Sequence, residues 1–471
     1  MQRVIHWFRR DFRLHDNTAL RAALAAAPEV IPVYVLSKWH GQHRWTGAPR
    51  QQFLCGSLEV LGRNIEQLGG RLIVRQGIAD EELGRLLAET RAEAVFYNRD
   101  PDPFGRRMEE KVAAMTVAAG ASVHGFKDVA IHERDEVLTG KGEPFRVFTP
   151  YARAWRKLPK PGSGELLYLT AENAKNTKAG RIYAAPGVGS LALPTLRTWG
   201  LGNGAEIIEP GEDAARRRLE TFMSGPIRHY KELRDIPAAA GASRLSQDLR
   251  HGLVSVREVH TRALEVRSGV SSREVESIDA FINELIWREF YMQVLWHWPR
   301  VLDSDFNAGG RWYEPGAEFD AWRRGETGFP IVDAGMRQLR ATGFMHNRLR
   351  MITAMFLTKD LHIHWRAGES WFMQQLVDGD IASNNGGWQW SAGTGADAAP
   401  YFRIQNPWTQ SARFDPRAEF IKQWVPELRD VHPAELLTAP APGRRICAKY
   451  PRPIVDHAKE RETALRLFKH Q

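Results

Sequence analysis

The chain has 471 residues, a length at which we expect two or more domains rather than a single hydrophobic core. Lysine and arginine number 65 against 56 aspartate and glutamate, and the net charge of +9 suits a polyanionic partner without requiring one. The two cysteines, Cys55 and Cys447, exclude a disulfide framework and a cysteine-based zinc site, and we expect no metal site. No apolar stretch is long enough for a signal peptide or a membrane span, so we expect a cytoplasmic protein.

The first 130 residues alternate short apolar runs with amphipathic stretches. The amphipathic stretches Pro49–Leu68 and Asp80–Thr90 predict helices. Alternating strands and helices predict an α/β domain over residues 1–130, built on a doubly wound parallel sheet. The apolar runs predict five buried strands, over Val4–Phe8, Val30–Leu36, Arg71–Arg75, Ala94–Asn98 and Ser122–Phe126.

The pattern changes after the predicted sheet. Residues 158–210 are rich in proline and glycine and lack periodicity, which favours a long interdomain linker that we place at residues 131–211. Residues 212–471 have a helical pattern without convincing strands, so we expect an all-α second domain. Most of the sixteen tryptophans follow residue 150, where they are compatible with core packing, with stacking on bases or with electron transfer.

The segment Asp378–Trp390 combines acidic and amide side chains with two indoles and with glycines that let the backbone approach a ligand. A simple helix start would account for Asp380 or Asn384 as a cap but not for the whole segment. If the segment is helical, Trp388 and Trp390 differ by about 200° around the axis. We therefore expect one indole to face inward and the other to face a cavity.

A second candidate segment is Asn283–Tyr291, in which Glu284, Trp287, Arg288 and Tyr291 share one helix face. A glutamate beside a tryptophan would accept hydrogen bonds from a base while the indole stacks on it. On the pattern alone, a surface ion pair between Glu284 and Arg288 is the more common arrangement.

In the segment Met345–Met351, Asn347, Arg350 and Met351 share a helix face. Arg350 would pair with Asp378 or with a phosphate. The alternative for Met351 is core packing, and His346 by itself is more often structural than catalytic.

The segment Ala242-Ser-Arg-Leu-Ser246 places a pair of hydroxyls around an arginine. Such a pair at the start of a helix favours an anion site, although serine also caps helices without any ligand. As a short motif it is a weak signal.

Together these segments resemble the FAD domain of the photolyase/cryptochrome family. The resemblance is most specific from Gly328-Phe-Pro-Ile-Val-Asp to Pro400-Tyr-Phe-Arg-Ile, and the N-terminal Trp7-Phe-Arg-Arg-Asp-Phe-Arg-Leu-His-Asp-Asn17 resembles the start of the same family. It covers nearly the whole chain apart from the linker. Within the family the chain looks most like the bacterial class I enzymes that act on cyclobutane pyrimidine dimers.

The resemblance implies that the helical domain binds FAD. Asn384 matches the residue that faces the flavin N5, and an amide there resembles photolyases more than plant or animal cryptochromes. Relatives often have threonine at the position of Ala242. Trp388, Trp365 and Trp312 match a chain of tryptophans that relays electrons to the flavin. The residues implied to bind FAD are Tyr230, Ala242, Ser243, Arg244, Leu245, Ser246, Asn347, Arg350, Asp378, Gly379, Asp380 and Asn384.

The resemblance also implies a partner, UV-damaged DNA, bound by a monomer. The implied activity is light-driven repair of cyclobutane dimers by electron transfer from FAD, with Glu284, Asn384 and Met351 at the reacting centre. The alternative is a blue-light sensor of the cryptochrome type without repair activity. Met351 and Trp390 favour repair, because (6-4) photolyases have histidine at the first position and DASH cryptochromes usually have tyrosine at the second. The positions implied to contact the lesion or its strand are Glu284, Trp287, Arg288, Asn347, Arg348, Met351, Trp390 and Arg403.

The family also implies a second, light-harvesting chromophore in the N-terminal domain. Relatives that bind folate have an Asn-Glu pair just after the fourth strand, where this chain has Phe104-Gly105. The resemblance therefore favours 8-hydroxy-5-deazaflavin, followed by 5,10-methenyltetrahydrofolate and then by an empty or flavin-filled site.

Overall fold

The computed structural model describes residues 1–161, 180–202, 204–400 and 402–468. Alternate residues of the first strand enter two different cores, with Val4 and Phe8 in one and Ile5 and Trp7 in the other. Helices therefore cover both faces of the sheet, as in other parallel α/β domains. The elements of this region are β1 (Arg3–Phe8), α1 (Thr18–Ala26), β2 (Glu29–Leu36), α2 (Ala48–Gln67), β3 (Ile73–Gln76), α3 (Ala79–Thr90), β4 (Ala94–Asn98), α4 (Pro103–Ala118) and β5 (Ser122–Phe126).

The sheet is parallel, with strand order β3-β2-β1-β4-β5. The predicted α/β class is confirmed, and the predicted bounds of the fourth and fifth strands agree with the structure. The third strand begins later than predicted, because its pairing with β2 starts only at Ile73, opposite Val33.

The prediction that the fifth strand is buried was wrong. Ser122 is exposed and the other four residues of β5 are only partly buried. The reason is the position of β5 at the end of the sheet, where it pairs with β4 alone. An edge strand presents one side to solvent whatever its apolar content.

The segment predicted as a linker contains regular structure. It includes helix α5 (Phe148–Lys157), whose Tyr151 and Trp155 are buried, and a short strand β6 (Arg181–Ile182) that pairs with β2. The side chain of Trp199 is also buried, at the end of a 3-10 turn over Leu196–Trp199. The chain between the two parts of the protein is thus packed against them, and the predicted linker residues 162–179 lie outside the described residues.

The region from residue 212 onward is helical, as predicted, and the described residues there form no strand beyond one isolated bridge between Tyr313 and Ile363. Among the described residues, no helix combines the length and apolarity needed to cross a membrane. The helices are α6 (Glu212–Ser224), α7 (Tyr230–Leu233), α8 (Ser246–His251), α9 (Val256–Arg267), α10 (Ser272–His297), α11 (Ala317–Arg324), α12 (Pro330–Thr342), α13 (Asn347–Met355), α14 (Trp365–Gln375), α15 (Ile381–Ala392), α16 (Pro407–Phe414), α17 (Glu419–Trp424), α18 (Pro433–Leu436) and α19 (His457–Phe468), with a π-helical turn at Phe356–Asp360.

A buried glutamate on α10 joins the two parts of the protein. The carboxylate of Glu289 accepts hydrogen bonds from the backbone N–H groups of Ile131 and His132, in the segment after β5. It also accepts one from the indole N–H of Trp155 on α5, at 2.6 Å. Glu289 is only 2% exposed, so no water molecule can take the place of its carboxylate as the acceptor for these three donors.

We predict that Glu289→Ala lowers the free energy of unfolding by about 3 kcal/mol or more, because it leaves three buried donors without an acceptor. The measurement is urea unfolding followed by circular dichroism. Glu276→Ala is the control, since Glu276 lies on the same helix in an exposed ion pair with Lys231 and its loss should not be detectable. Equal unfolding midpoints for Glu289→Ala and the wild type would contradict the role given to Glu289.

Candidate functional site

A cavity of about 480 Å³ lies in the helical region, with walls from α10, α13 and α15. It brings together most of the residues that the sequence predicted for cofactor and DNA. The predicted residues that line it are Tyr230, Ser243, Leu245, Ser246, Glu284, Trp287, Arg288, Asn347, Arg350, Met351, Asp378, Asp380, Asn384, Trp388 and Trp390.

Three residues predicted to bind the cofactor lie behind the wall rather than in it. Arg244 has a left-handed backbone, with φ of 55°, and its guanidinium lies over the ring of Phe344 at 3.7 Å. The carbonyl of Gly379 accepts hydrogen bonds from the guanidinium groups of Arg50 and Arg250. Ala242 does not reach the cavity, so the hydroxyls in this part of the wall belong to Ser243 and Ser246.

Asp380 is held by charges from the N-terminal region. One of its oxygens accepts the N–H of Ser383 and so caps α15, and the other pairs with Arg10 at 2.7 Å. Burial alone would raise the pKa of Asp380, but Arg10, Arg250 and Arg288 outweigh burial and hold it below its usual range. The carboxylate is therefore ionised at neutral pH and fixed in place.

Asp378 offers a free acceptor to the cavity. One carboxylate oxygen pairs with the guanidinium of Arg350 at 2.8 Å, the partner that the sequence suggested. The other oxygen, Oδ1, is buried and has no hydrogen-bond partner within the described part of the chain. A buried acceptor without a donor is costly, so this oxygen is suited to an N–H group of a bound molecule.

Helix α15 approaches the cavity closely because two of its positions are glycine. A Cβ on Gly386 would lie 2.1 Å from the ring of Tyr291, so only glycine allows α15 to pack on α10 here. Gly387 lines the cavity itself. The amide of Asn384 donates to the backbone carbonyl of Glu369 at 3.1 Å, which fixes the orientation of its side chain.

Glu284 and Trp287 lie on the cavity face of α10, as predicted. Glu284 pairs with Arg234 at 2.7 Å, so the alternative pair with Arg288 is not formed. Burial raises the pKa of Glu284, and the ion pair with Arg234 opposes that rise. Trp287 stacks on Phe148 with 3.6 Å between ring centroids.

The three arginines predicted to contact the lesion or its strand differ in their surroundings. Arg288 lines the cavity, but its guanidinium donates to the carbonyls of Val129 and Leu249 rather than projecting from the surface. Arg348 pairs with Asp235 at 2.7 Å and lies outside the cavity wall. Arg403 is exposed. Only Arg403 therefore has the exposure expected of a free phosphate contact.

Met351 lies in helix α13 and His346 caps the start of that helix, and the two side chains have different environments. Met351 lines the cavity. His346 is buried before the start of α13, where its Nδ1 accepts the N–H of Arg348 at 3.2 Å. Burial lowers the pKa of His346 to about 4, so its role is structural, as its sequence context suggested.

The two indoles at the end of α15 both line the cavity, so the prediction that only one of them would face a cavity was wrong, but they differ in burial and in packing. Trp390 is half-buried in the cavity wall, whereas Trp388 is 2% exposed and packs edge-on against Phe372 at 4.9 Å. The Trp388 ring also fits over Gly368 of α14, where a Cβ would lie 2.1 Å from it.

The other two predicted relay tryptophans lie beyond this contact. Trp365, one turn before Gly368 on α14, is fully buried and donates its indole N–H to Asp305 at 2.6 Å. The ring of His364 lies between Trp365 and Trp312, at 5.6 and 5.3 Å from their centroids. Ring contacts therefore join Trp365 to half-buried Trp312, and the Trp388 ring lies over Gly368, one turn from Trp365 on the same helix.

Several residues of the cavity wall were not predicted from the sequence. Arg234 and Arg250 each lie four residues after a predicted site residue, Tyr230 and Ser246, and helical spacing was a usable signal for both. Phe372 of α14 carries no such signal, because it reaches the cavity only through the packing of α14 on α15.

Comparisons with known proteins agree with this site. Residues 4–166 match the family model for DNA photolyase, and residues 281–470 match the model for the FAD binding domain of DNA photolyase. The chain is 40% identical to the deoxyribodipyrimidine photo-lyase of a Synechococcus species, over 96% of this chain and 94% of that protein.

Solved structures show the same likeness. The crystal structure of a bacterial class III photolyase from Agrobacterium tumefaciens superposes with a TM-score of 0.88 at 37% identity, covering 99% of this chain and 97% of the other. The crystal structure of a Synechocystis cryptochrome also gives a TM-score of 0.88, but at 26% identity, covering 99% of both chains. At 40% identity over nearly its whole length, this chain belongs to the photolyase/cryptochrome family, as its sequence motifs predicted.

Proposed function

We propose that this protein binds FAD and uses light to repair cyclobutane pyrimidine dimers in UV-damaged DNA. One observation carries the proposal: a single cavity combines carboxylates and hydroxyls suited to the cofactor with two indoles and a glutamate suited to a base. When bound, FAD supplies the absorption of light and the electron that splits the dimer. The residues of this chain bind and orient the two partners and exclude water from them.

The cofactor side of the cavity fits FAD. The unpartnered Oδ1 of Asp378 is suited to accept an N–H of the flavin or of the adenine. Ser243 and Ser246 supply the hydroxyls, and Asn347 adds an amide. The missing threonine hydroxyl at Ala242 has little consequence, because that position does not line the cavity.

The DNA side of the cavity fits a pyrimidine dimer turned out of the helix. Each base that stacks on an indole gains about 1–3 kcal/mol, and Trp287 and Trp390 both line the cavity. A lesion that already stacks poorly costs less to turn out than a normal base pair. Glu284, fixed by Arg234, is suited to accept the N–H groups of the dimer and so to orient it.

The alternative function, blue-light sensing without repair, uses the same cofactor and the same fold. Asn384 and Met351 in the cavity wall favour repair, and the proposal is decided by an assay of repair itself. Reduced protein is illuminated with DNA that contains cyclobutane dimers, and the recovered thymine is quantified. FAD bound without any recovery of thymine would favour the sensor.

We further propose 8-hydroxy-5-deazaflavin as a second chromophore. Phe104 in the first turn of α4 is 43% exposed and meets Trp45 edge-on at 5.9 Å. Phe104 follows β4 and Trp45 follows β2, so the pair lies at the carboxyl ends of parallel strands, where α/β sheets bind ligands. Methenyltetrahydrofolate is the alternative, and mass spectrometry of the chromophore released from the native protein distinguishes the two.

A cytoplasmic monomer is consistent with these features. Cys55 and Cys447 are both free thiols, as expected in a reducing compartment. The cavity is built from one chain, so repair requires no second copy. Light scattering after gel filtration measures the oligomeric state.

We predict that Glu284→Ala lowers the affinity for dimer-containing DNA about tenfold and the repair yield per absorbed photon, while FAD content stays near that of the wild type. The reason is that Glu284 lies among the base-stacking residues and not among the cofactor hydroxyls. Asp279→Ala, on the same helix but in an exposed pair with Arg267, is the control. Unchanged repair per photon in Glu284→Ala would show that Glu284 has no part in the reaction.

We predict that Trp388→Phe strongly slows the light-driven reduction of oxidised FAD but spares repair by chemically reduced protein. Trp388 is the one of the three predicted relay tryptophans that lies in the cavity wall. The measurement is the absorbance of bound FAD under blue light with an external donor. Trp408→Phe, a buried tryptophan outside the predicted relay, serves as the control, and wild-type rates in Trp388→Phe would exclude this relay.

We predict that the protein repairs cyclobutane dimers and leaves (6-4) photoproducts unchanged. Repair of the second lesion needs a proton donor near the transferred hydroxyl, and the thioether of Met351 cannot donate a proton. His346 does not replace it, because its ring caps α13. Oligonucleotides that carry each lesion are illuminated separately with reduced protein. Light-dependent restoration of the (6-4) substrate would refute the role of Met351 in lesion choice.

A further inference from the structure

The indole of Trp287 has an aromatic ring on one of its two faces. Phe148, the first residue of α5, lies on the indole with ring centroids 3.6 Å apart and planes within 5° of parallel. Trp287 lines the cavity and Phe148 does not. The phenyl ring therefore covers one face of the indole, while Phe290 and Tyr291 meet the indole at 5.6 and 5.5 Å between centroids without lying parallel to it. A base in the cavity would stack on the face opposite Phe148.

Phe148 is itself fixed by contacts from two other parts of the fold. Its ring meets the edge of Phe290 on α10 at 5.9 Å. The carboxylate of Asp397 lies near the backbone N–H of Phe148, and Asp397 lines the same surface cavity as the neighbouring Val147. Helix α5 has no side-chain cap of its own, since Val147 precedes it, so a carboxylate near the start of the helix is electrostatically favourable there.

Asp397 connects Phe148 to the second indole of the cavity. It lies in the loop after α15, the helix that carries Trp390, and its backbone is left-handed with φ of 51°. Aspartate tolerates this conformation better than most residues, at some cost in energy. Asp397, which we place beside Phe148 and through it behind Trp287, therefore lies in the loop that follows the helix of Trp390.

We propose that Phe148 is a positioning residue for lesion recognition, which holds the Trp287 indole in the orientation that a turned-out pyrimidine dimer requires, and that Asp397 holds Phe148. The inference rests on the proposed repair function and on the stacking of a base of the dimer on the Trp287 indole. A side chain that is fixed before binding loses less conformational freedom when the base arrives. Without the Phe148 ring, the indole of Trp287 becomes ordered only when the DNA binds, and the affinity is lower by that cost.

The test compares substitutions that keep the ring with substitutions that keep only the apolar volume. Phe148→Leu should weaken binding of dimer-containing DNA about 3- to 10-fold, the loss expected for one aromatic stack, and Phe148→Tyr should bind as the wild type does. Binding of undamaged DNA, FAD content and repair yield at saturating DNA should not change. Phe145→Leu is the matched control, because Phe145 lies in the same segment and packs on Tyr151 instead. A purely structural role would tolerate leucine at position 148.

A double-mutant cycle asks whether Phe148 acts through Trp287. In a Trp287→Ala background, Phe148→Leu should have no further effect on affinity for the dimer, because there is no indole to position. Equal losses in both backgrounds would overturn the proposal, as would wild-type affinity in Phe148→Leu.

Asp397→Ala provides a second route that leaves every aromatic ring in place, should Phe148→Leu fold poorly. It should weaken dimer binding in the same direction and again only when Trp287 is present, and an unchanged affinity overturns the role of Asp397. The same assays separate this inference from the proposed function. Failure of the wild type to prefer dimers would refute repair itself, whereas a discriminating wild type with an equally discriminating Phe148→Leu refutes only the positioning role.

Discussion

The geometry of the cavity depends on an ion pair between residues at opposite ends of the sequence. Arg10, just after β1, donates to Asp100 at 2.9 Å and to Asp380 at 2.7 Å, so one guanidinium joins the sheet region to the helical region. Asp380 caps α15, and that helix carries Asn384 and Trp388. The orientation of the cofactor wall is therefore set by an interaction made from the N-terminal sheet.

Buried charges of this kind are not a simple source of stability. Transferring both charges of a pair from water to the interior costs nearly as much free energy as their mutual attraction returns. Replacing one partner by mutation leaves the other charge buried and unpaired, which costs about 3–5 kcal/mol. Arg13 follows the same pattern, since it is 1% exposed and one of its nitrogens, Nη2, donates to both oxygens of Asp128, which Arg257 of α9 also contacts. Such pairs penalise any arrangement in which the two regions separate or shift, and so they favour one relative position.

The sequence predicted the features of the fold and the site that depend on residues close together in the chain. The bounds of β4 follow from a local apolar run, and the shared face of Glu284 and Trp287 follows from helical spacing. The contact between Arg10 and Asp380 spans 370 residues and leaves no local pattern. Helix α5 did have a signal, because its buried residues recur at helical spacing, but it was obscured by the proline- and glycine-rich residues that follow it. The FAD site itself was predicted from the family motifs, since spacing alone favoured common surface pairs.

The ionisable groups of the cavity are held by ion pairs and hydrogen bonds. The carboxylates of Glu284, Asp378 and Asp380 are each paired with an arginine. His346, which precedes Asn347 of the cavity wall, has its Nδ1 occupied by a backbone N–H, and its lowered pKa of about 4 keeps it neutral at neutral pH. General acid–base catalysis needs a group whose pKa lies near the working pH and whose proton is free to move. A site with paired charges and the predicted relay tryptophans is instead suited to electron transfer, in which the protein contributes orientation, stacking and exclusion of water.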